Sequence, residues 1–226
     1  LGAKEVVHRV VVVVASGFVG RTFVRALPSA GFEVVPLRNS WRFSAGIAEA
    51  LREELIRLRP SVIVNLAGVV PPAPDADMWA GNVGTPAVLL DYAVREPTCR
   101  RVVLVGSAAE LQVADGPART PTTYALSKYA QRALATAFGD YLQGKLVIAR
   151  VFDIIGHGMR RRSLLGQALQ DLASRSLVRD GTADSYAVYR DILDVRDVAS
   201  ALWYCVSAPR ALGSVDVCSG SSTLVV

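Results

Sequence analysis

Cysteine and histidine are scarce in this chain, and their scarcity excludes several classes of site. The 226 residues include three cysteines, Cys99, Cys205 and Cys218, and two histidines. An odd number of widely spaced cysteines provides neither a disulfide framework nor the paired ligands of a zinc site. We therefore expect no metal centre and a reducing environment, the cytoplasm.

Long apolar segments and dense charge runs are lacking too. The run of five valines at residues 10–14 is far too short to cross a membrane, which takes about 20 apolar residues. The N-terminus lacks the basic and apolar regions of a signal peptide. The net charge is +5, but the dense basic run at residues 159–163 is typical of a solvated loop or helix start. We expect neither a membrane protein nor a nucleic-acid-binding protein.

What the chain has in abundance is β-branched runs separated by helical patterns. Five apolar runs predict buried strands at residues 8–15, 32–38, 61–68, 101–109 and 145–152. The main helical patterns lie between them, at residues 19–31, 47–60, 82–96 and 123–142. This alternation is typical of a parallel sheet covered by helices on both faces. We predict a doubly wound α/β fold of the Rossmann type over residues 1–152. A small substrate-binding lobe, interleaved with the last sheet elements, is expected over residues 153–226.

One helical stretch carries the sequence YALSK, in which Tyr124 stands four residues before Lys128. Positions i and i+4 lie on one helix face, about 6 Å apart. A free phenol, with a pKa of about 10, is a poor acid or base at neutral pH. A nearby ammonium favours the phenolate and lowers that pKa. The pair is either catalytic or an ordinary part of a helix surface.

The stretch VVASGFVGR at residues 13–21 follows a predicted strand and opens a helix, as a dinucleotide-binding turn does. Gly17 would let a pyrophosphate approach the backbone, and Gly20 would let the helix pack closely on the sheet. Val14 stands where a further glycine is expected, and a β-branched residue suits a tight turn badly. A turn that binds nothing is the alternative.

The second predicted strand ends at Arg38. An acidic residue at such a position would hold a ribose 2′-hydroxyl, whereas arginine suits a 2′-phosphate. We therefore favour NADP over NAD as the cofactor, with NAD still open and Arg42 as a second candidate contact. The alternative is that Arg38 is simply exposed.

Taken together, these segments resemble the extended short-chain dehydrogenase/reductase family, the NAD-dependent epimerases, dehydratases and 4-ketoreductases of nucleotide sugars. The motifs follow the family's order over almost the whole chain: ASGFVG at 15–20, NLAG at 65–68, NVGT at 82–85, VGSAAEL at 105–111, YALSK at 124–128, ARVFDIIGHG at 149–158 and RDILDVRDVA at 190–199. Departures from the family pattern include Val14, Val151, Asp153 and His157. The chain also stops earlier than the family's substrate domain usually does. We therefore expect a truncated lobe and a substrate that could be smaller or different.

The resemblance implies roles for individual residues. Tyr124 would be the general acid/base, Lys128 would lower its pKa and hold the nicotinamide ribose, and Ser107 would hydrogen-bond the reacting oxygen. Asn82 would be a structural and proton-relay residue. The implied cofactor contacts are Gly17, Phe18, Val19, Arg38, Leu66, Ala67, Gly68, Tyr124, Lys128 and Val151. The implied substrate contacts are Ser107, Ala108, Asp153, His157 and Arg190, the last of them for a phosphate.

We therefore predict an NADP-dependent oxidoreductase or epimerase that acts, as a homodimer, on a small-molecule substrate. The reacting group would be a hydroxyl/keto pair of a nucleotide sugar or a natural-product intermediate. Two alternatives stay open. A lyase, isomerase or cyclase of the same fold would use Tyr124 with no net redox step. A non-catalytic cofactor-sensing or scaffold protein would be favoured if Tyr124 proved buried or far from Ser107.

Overall fold

The valine-rich runs form the centre of a parallel sheet. The computed structural model describes residues 7–26, 31–37, 45–114, 120–159, 166, 188–209 and 213–225. The strands are β1 (His8–Val13), β2 (Phe32–Leu37), β3 (Val62–Asn65), β4 (Arg101–Ser107), β5 (Leu146–Val151), β6 (Asp153–Ile155), β7 (Val188–Arg190), β8 (Ile192–Asp194), β9 (Gly213–Val217) and β10 (Thr223–Val225). The α-helices are α1 (Phe18–Arg25), α2 (Ala45–Leu58), α3 (Asp75–Trp79), α4 (Thr85–Arg95), α5 (Leu111–Ala114), α6 (Thr123–Ala137), α7 (Gly139–Leu142) and α8 (Val195–Ser207).

The main sheet has six strands in the order β2-β1-β3-β4-β5-β9, and every neighbouring pair is parallel. The chain runs outward from β1 to β2 and then returns to β3 on the other side of β1. In an open α/β sheet, ligands bind in the crevice outside the carboxyl ends of the strands at such a reversal. The turns that follow β1 and β3 therefore mark where a site is expected.

Alternation along β1 divides the core between the two faces of the sheet. Val11 and Val13 pack on the side that holds Leu55 and Leu89, whereas Val10 and Val12 pack on the side that holds α1 and α8. On the second side Phe23 and Trp203 stack with ring centroids 4.5 Å apart, and the Trp203 indole donates to the Phe23 carbonyl at 2.9 Å. The predicted doubly wound fold is confirmed.

The structure refines several predicted boundaries. The helix predicted over 82–96 begins with a π-helical turn at Ala80–Gly84, and the one predicted over 123–142 is interrupted at Phe138. Two short strands, β7 and β8, precede α8, and Asp194 caps α8 by accepting from the Arg196 amide at 2.8 Å.

The segment after residue 152 contributes to the main sheet. Strand β9 pairs with β5, and α8 packs on the same side as α1. Most of residues 159–176, including most of the basic run at 159–163, lie outside the described residues. The division into two units at residue 152 stays a prediction.

Candidate active site

The turn after β1 keeps its shape despite Val14. The backbone of Val14 has a φ of 61°, in the left-handed region that favours glycine. The Gly17 amide donates to the Val14 carbonyl at 3.1 Å and closes the turn. A β-branched residue in this region is strained by about 1–3 kcal/mol. The turn therefore takes the conformation that a glycine would take, at a cost in stability.

The two glycines that follow Val14, Gly17 and Gly20, differ in whether a side chain would fit. A Cβ on Gly20 would lie 2.6 Å from the Val14 carbonyl oxygen and 2.7 Å from that of Ala15, so no side chain fits there. A Cβ on Gly17 would have only Val14 atoms within 4 Å, the nearest at 3.3 Å. No side chain caps α1, and its first turn holds no acidic residue. An uncapped helix N-terminus beside an open glycine fits an anionic group such as a pyrophosphate.

The turn after β3 forms the second side of the crevice. Within it the Asn65 side chain accepts from the Ala67 amide at 3.1 Å. Asn82 accepts from the Val69 amide at 2.8 Å and donates to the Val69 carbonyl at 2.9 Å and to the Ser127 hydroxyl at 2.9 Å. Asn82 thus ties this turn to α6, whereas its expected part in a proton relay stays a prediction.

Ser107 and Tyr124 meet at the carboxyl end of β4. Ser107 is the last residue of that strand, and its hydroxyl accepts from the Ala109 amide at 3.2 Å. Tyr124 lies in the first turn of α6, and the Ser107 side chain is near enough to its phenol to act on the phenol pKa. Of the two conditions that would favour a non-catalytic protein, a Tyr124 far from Ser107 is not met. The other, a buried Tyr124, is met in part, because the residue is half-buried and burial raises the pKa of its phenol.

The pKa of Tyr124 is raised, which is opposite to the direction that we expected. Burial is the main cause, and the charges of Asp153 and Glu110 add to it, while the hydrogen bond with Ser107 acts in the other direction. The expectation was based on the i, i+4 spacing to Lys128 alone. It left out the cost of burying a phenolate.

Lys128 is buried, with 3% of the residue exposed. Its ammonium donates to the Val105 carbonyl at 3.1 Å and to the Gln131 amide oxygen at 2.9 Å. A Cβ on Gly68, in the turn after β3, would lie 3.8 Å from the same nitrogen. Burial lowers the pKa of Lys128 to about 8, and the charge of Glu110 opposes that lowering. The ammonium therefore stands between the two sides of the crevice.

The expected substrate contacts lie at the end of β4 and around β6 and β7. Ala108 directly follows Ser107, and the carboxylate of Asp153 acts on the Tyr124 phenol. Asp153 lies 3.6 Å from the Arg190 guanidinium, and burial raises the pKa of its carboxyl. His157 is exposed on the turn after β6. The structure thus brings Asp153 and Arg190 together, and Asp153 is near enough for its charge to act on Tyr124.

The remaining expected cofactor contacts follow the strand ends. Phe18 and Val19 open α1, Leu66 and Ala67 follow β3, and Val151 ends β5. Arg38 and Arg42 lie outside the described residues, so their roles stay predictions. One link was not foreseen: a Cβ on Gly158 would lie 2.7 Å from an Arg21 nitrogen and 3.9 Å from the Phe18 ring. The turn after β6 therefore lies against the start of α1.

Sequence reasoning missed the partners that hold these groups. Gln131 bridges Lys128 and the Val105 carbonyl, and Glu110 is buried with Arg150. Gln131 stands three residues after Lys128, so its helical spacing was the available signal for that contact. The pairing of Glu110 with Arg150 spans 40 positions and has no local signal.

Metal-ligand clusters and membrane-spanning helices are absent from the described part of the chain. No three His, Cys, Asp or Glu side chains there are grouped so that they could hold a metal ion. None of the helices described there is both long enough and apolar enough to cross a bilayer.

Solved structures with the same fold are numerous. RMD from Pseudomonas aeruginosa, solved with NADPH, is 24% identical and has a TM-score of 0.73 over 96% of this chain and 79% of that one. UDP-glucose 4-epimerase from Thermotoga maritima, solved with UDP-glucose, is 15% identical, with a TM-score of 0.76 over 96% and 78%. A GDP-L-fucose synthetase from Naegleria fowleri is 14% identical, with a TM-score of 0.77 over 99% and 76%. At these identities the likeness shows the fold.

The family is shown by the sequence itself. No curated protein sequence matches the chain significantly. The profile of the NAD-dependent epimerase/dehydratase family, however, matches residues 10–218, which is nearly the whole chain. Together with the Rossmann sheet and the glycine turn, this match means that the chain is an enzyme of the NAD-dependent epimerase/dehydratase family.

Proposed function

We propose that this chain is an NADP-dependent oxidoreductase or epimerase that acts on a hydroxyl/keto pair, with Tyr124 as the general acid/base. The observation that carries the proposal is the contact of the Tyr124 phenol with the Ser107 hydroxyl, at the end of a strand and beside the buried Lys128. These three side chains stand where ligands bind in this type of sheet. The bound dinucleotide would supply or accept a hydride.

The protein's own groups would handle the proton and the reacting oxygen. In the reducing direction Tyr124 donates its phenolic proton to the carbonyl oxygen, and in the oxidising direction the phenolate takes that proton back. Ser107, which lies near the phenol, would hold the same oxygen. A raised pKa keeps Tyr124 protonated and therefore ready as an acid.

The substrate that we propose is a nucleotide sugar or a related natural-product intermediate with a ketone or secondary hydroxyl. Structural neighbours carry the names of UDP-glucose 4-epimerase and GDP-L-fucose synthetase, which act on such sugars. The test is the loss of NADPH absorbance when purified protein meets a panel of 4-keto nucleotide sugars. Turnover that requires NADPH would support the assignment. If the protein binds NADPH but turns over none of the sugars in the panel, the proposed substrate class is wrong.

Gly17→Ala should keep the fold and weaken dinucleotide binding. The backbone of Gly17, with φ −69° and ψ 176°, accepts alanine. The new methyl would lie 3.3 Å from the Val14 carbonyl oxygen, at the helix N-terminus where we place the pyrophosphate. NADPH at about 100 times its Kd should stabilise the wild type by about 2.7 kcal/mol, or roughly 5–10 °C in Tm. The variant should lose most of that rise while its own Tm stays within about 3 °C.

Gly139→Ala is the matched control, because a methyl there meets nothing within 4 Å and lies on α7. It should keep the full NADPH effect. An unchanged NADPH effect in Gly17→Ala would mean that the turn after β1 does not hold the pyrophosphate.

We also propose that the chain forms a homodimer through α4 and α6. Leu126 and Tyr129 on α6 are 38% and 40% exposed, and Val94 on α4 is 37% exposed. Leu126 and Tyr129 stand three residues apart and so share one helix face. A second copy would cover this apolar surface.

The unpaired cysteines Cys99, Cys205 and Cys218 fit a reducing cytoplasm, where we place the enzyme.

Sedimentation should give the mass of two chains for the wild type and of one chain for Tyr129→Arg. The buried guanidinium would have no partner in the dimer. Tyr141→Arg, on the exposed face of α7, is the control and should stay dimeric. A wild type that sediments as one chain would contradict this part of the proposal.

A further inference from the structure

Glu110 is a buried carboxylate three residues after Ser107. It is 1% exposed and lies in the 3-10 turn Ala108–Glu110. One of its oxygens, Oε1, accepts from Arg150 Nε at 2.6 Å and from an Arg132 terminal nitrogen at 2.9 Å. Burying a carboxylate is costly unless it is paired in good geometry. The two arginines supply that pairing.

These ion pairs join separate elements of the fold. Arg132 lies on α6, which also carries Tyr124 and Lys128, and Arg150 lies on β5. Arg150 also donates to Asp216 on β9 at 2.9 Å. Through Glu110, the turn that follows Ser107 is therefore tied to the helix that carries the other two groups.

The second oxygen of Glu110 has no hydrogen-bond partner in the described part of the chain. It lies 3.4 Å from the place that a Cβ on Gly106 would take, directly before Ser107. An unpaired buried carboxylate oxygen is uncommon in folded proteins and calls for an explanation. Stability alone does not require it, because a well-packed apolar residue at such a place is often as stable.

The charge of Glu110 reaches the Lys128 ammonium. The groups around Lys128 are the Gln131 amide on α6, the Val105 carbonyl on β4, Gly68 after β3 and the carboxylate of Glu110. Of these, Glu110 is the charged one. Around Glu110 itself stand Arg132, Arg150, Lys128 and, through Arg150, Asp216.

We propose that Glu110 is a positioning residue for the reaction, which joins the Ser107 turn to the helix of Tyr124 and Lys128 and supplies the counter-charge of the Lys128 ammonium. The expected effect of Glu110 on turnover rests on the function proposed above. The electrostatic part, which is the effect of the Glu110 charge on the Lys128 ammonium, does not. An ion pair with no part in the reaction would affect stability and the Lys128 titration but would leave kcat unchanged.

The first test follows the protonation of Lys128 by NMR in protein with isotope-labelled lysine. The chain has only three lysines, Lys4, Lys128 and Lys145, so the signals are few. In the wild type Lys128 should titrate near a pKa of about 8. In Glu110→Gln, which removes the negative charge and keeps the shape, the titration should move to lower pH. Asp216→Asn removes the other carboxylate from Arg150 and should leave the titration in place.

The second test separates position from charge. Arg132→Gln unties α6 from Glu110 but keeps the pair between Glu110 and Arg150. Because Arg132 is 34% exposed in its side chain, this variant should fold even if Glu110→Gln does not. We expect kcat to fall about 10- to 100-fold, as a small misplacement of reacting groups does, with no downward shift of the Lys128 titration.

An unshifted Lys128 titration in folded Glu110→Gln would overturn the electrostatic part. Wild-type kcat in Arg132→Gln would overturn the positioning part. A wild type that binds no dinucleotide would defeat the proposed function instead, and the NMR titration would still decide the role of the Glu110 charge.

Discussion

Tyr124→Phe retains the fold and loses turnover by about 10²- to 10⁴-fold, the usual range for the removal of a positioned general acid. The change deletes one hydroxyl near Ser107, and a typical hydrogen bond of such a group contributes about 1 kcal/mol to stability. The hydroxyl is also costly to bury, so the two effects on the free energy of unfolding offset each other in part. We expect Tm to move by less than about 4 °C.

The measurement is NADPH-dependent turnover beside a thermal melt of the same sample. Tyr141→Phe is the matched control, because Tyr141 is 70% exposed on α7 and should be indifferent to the change. Dinucleotide binding should survive in both variants. Turnover close to that of the wild type in Tyr124→Phe would remove Tyr124 from the acid/base role.

Lys128→Met should lose turnover to a similar extent while raising the stability of the protein at pH 7. The pKa of Lys128 is about 8 in the folded chain, against 10.5 for an ordinary lysine. The difference of about 2.5 units corresponds to roughly 3 kcal/mol that the folded state loses by burying the ammonium. The lost hydrogen bonds to Val105 and Gln131 offset about 1–2 kcal/mol of the gain. The net expectation is a stabilisation of about 1–2 kcal/mol.

The pH dependence of this effect has a definite sign. The pKa of Lys128 is lower in the folded state than in the unfolded state. Burial of Lys128 therefore costs the wild type most stability below pH 8, where the side chain is charged in both states. Its stability recovers as the pH rises from about 8 to 10.5. The advantage of Lys128→Met should therefore be largest at pH 7 and should shrink at pH 9.5.

Denaturant unfolding at the two pH values measures this difference. Lys145→Met is the control, because Lys145 is half-buried just before β5 and lies outside the crevice. A Lys128→Met protein that is less stable than the wild type at pH 7 would show that the ammonium is well stabilised in the fold. Such a result would weaken the view that stability is given up here for function.

The parts of the molecule that the sequence predicted are those with local signals. Continuous valine runs such as Val10–Val13 are typical of strands buried on both faces of a covered parallel sheet, and β1 lies inside the sheet between β2 and β3. The spacing of Tyr124 and Lys128 within one helix is likewise local, so the helix and its position were predictable. Val14 was correctly identified as the strained position of the turn.

What the sequence did not reveal depends on residues far apart in the chain. The direction of the Tyr124 pKa follows from burial and from the charges of Asp153 and Glu110, which only the folded chain brings near. Glu110 forms an ion pair with Arg150, and Asn82 accepts a hydrogen bond from the Val69 amide. Each contact joins separate segments of the chain, and no periodic pattern in the sequence predicts it. Chain-distant contacts of this kind set the electrostatics of the candidate site.

The most direct test of the central claim is a calorimetric titration of the wild-type protein with NADPH, NADP, NADH and NAD. We expect a saturable one-site isotherm, with NADPH and NADP bound more tightly than NADH and NAD because Arg38 follows β2. Folded protein that binds none of the four would contradict it, since the turn at Val14 and Gly17 would then hold no dinucleotide and Tyr124 would have no hydride-transfer partner.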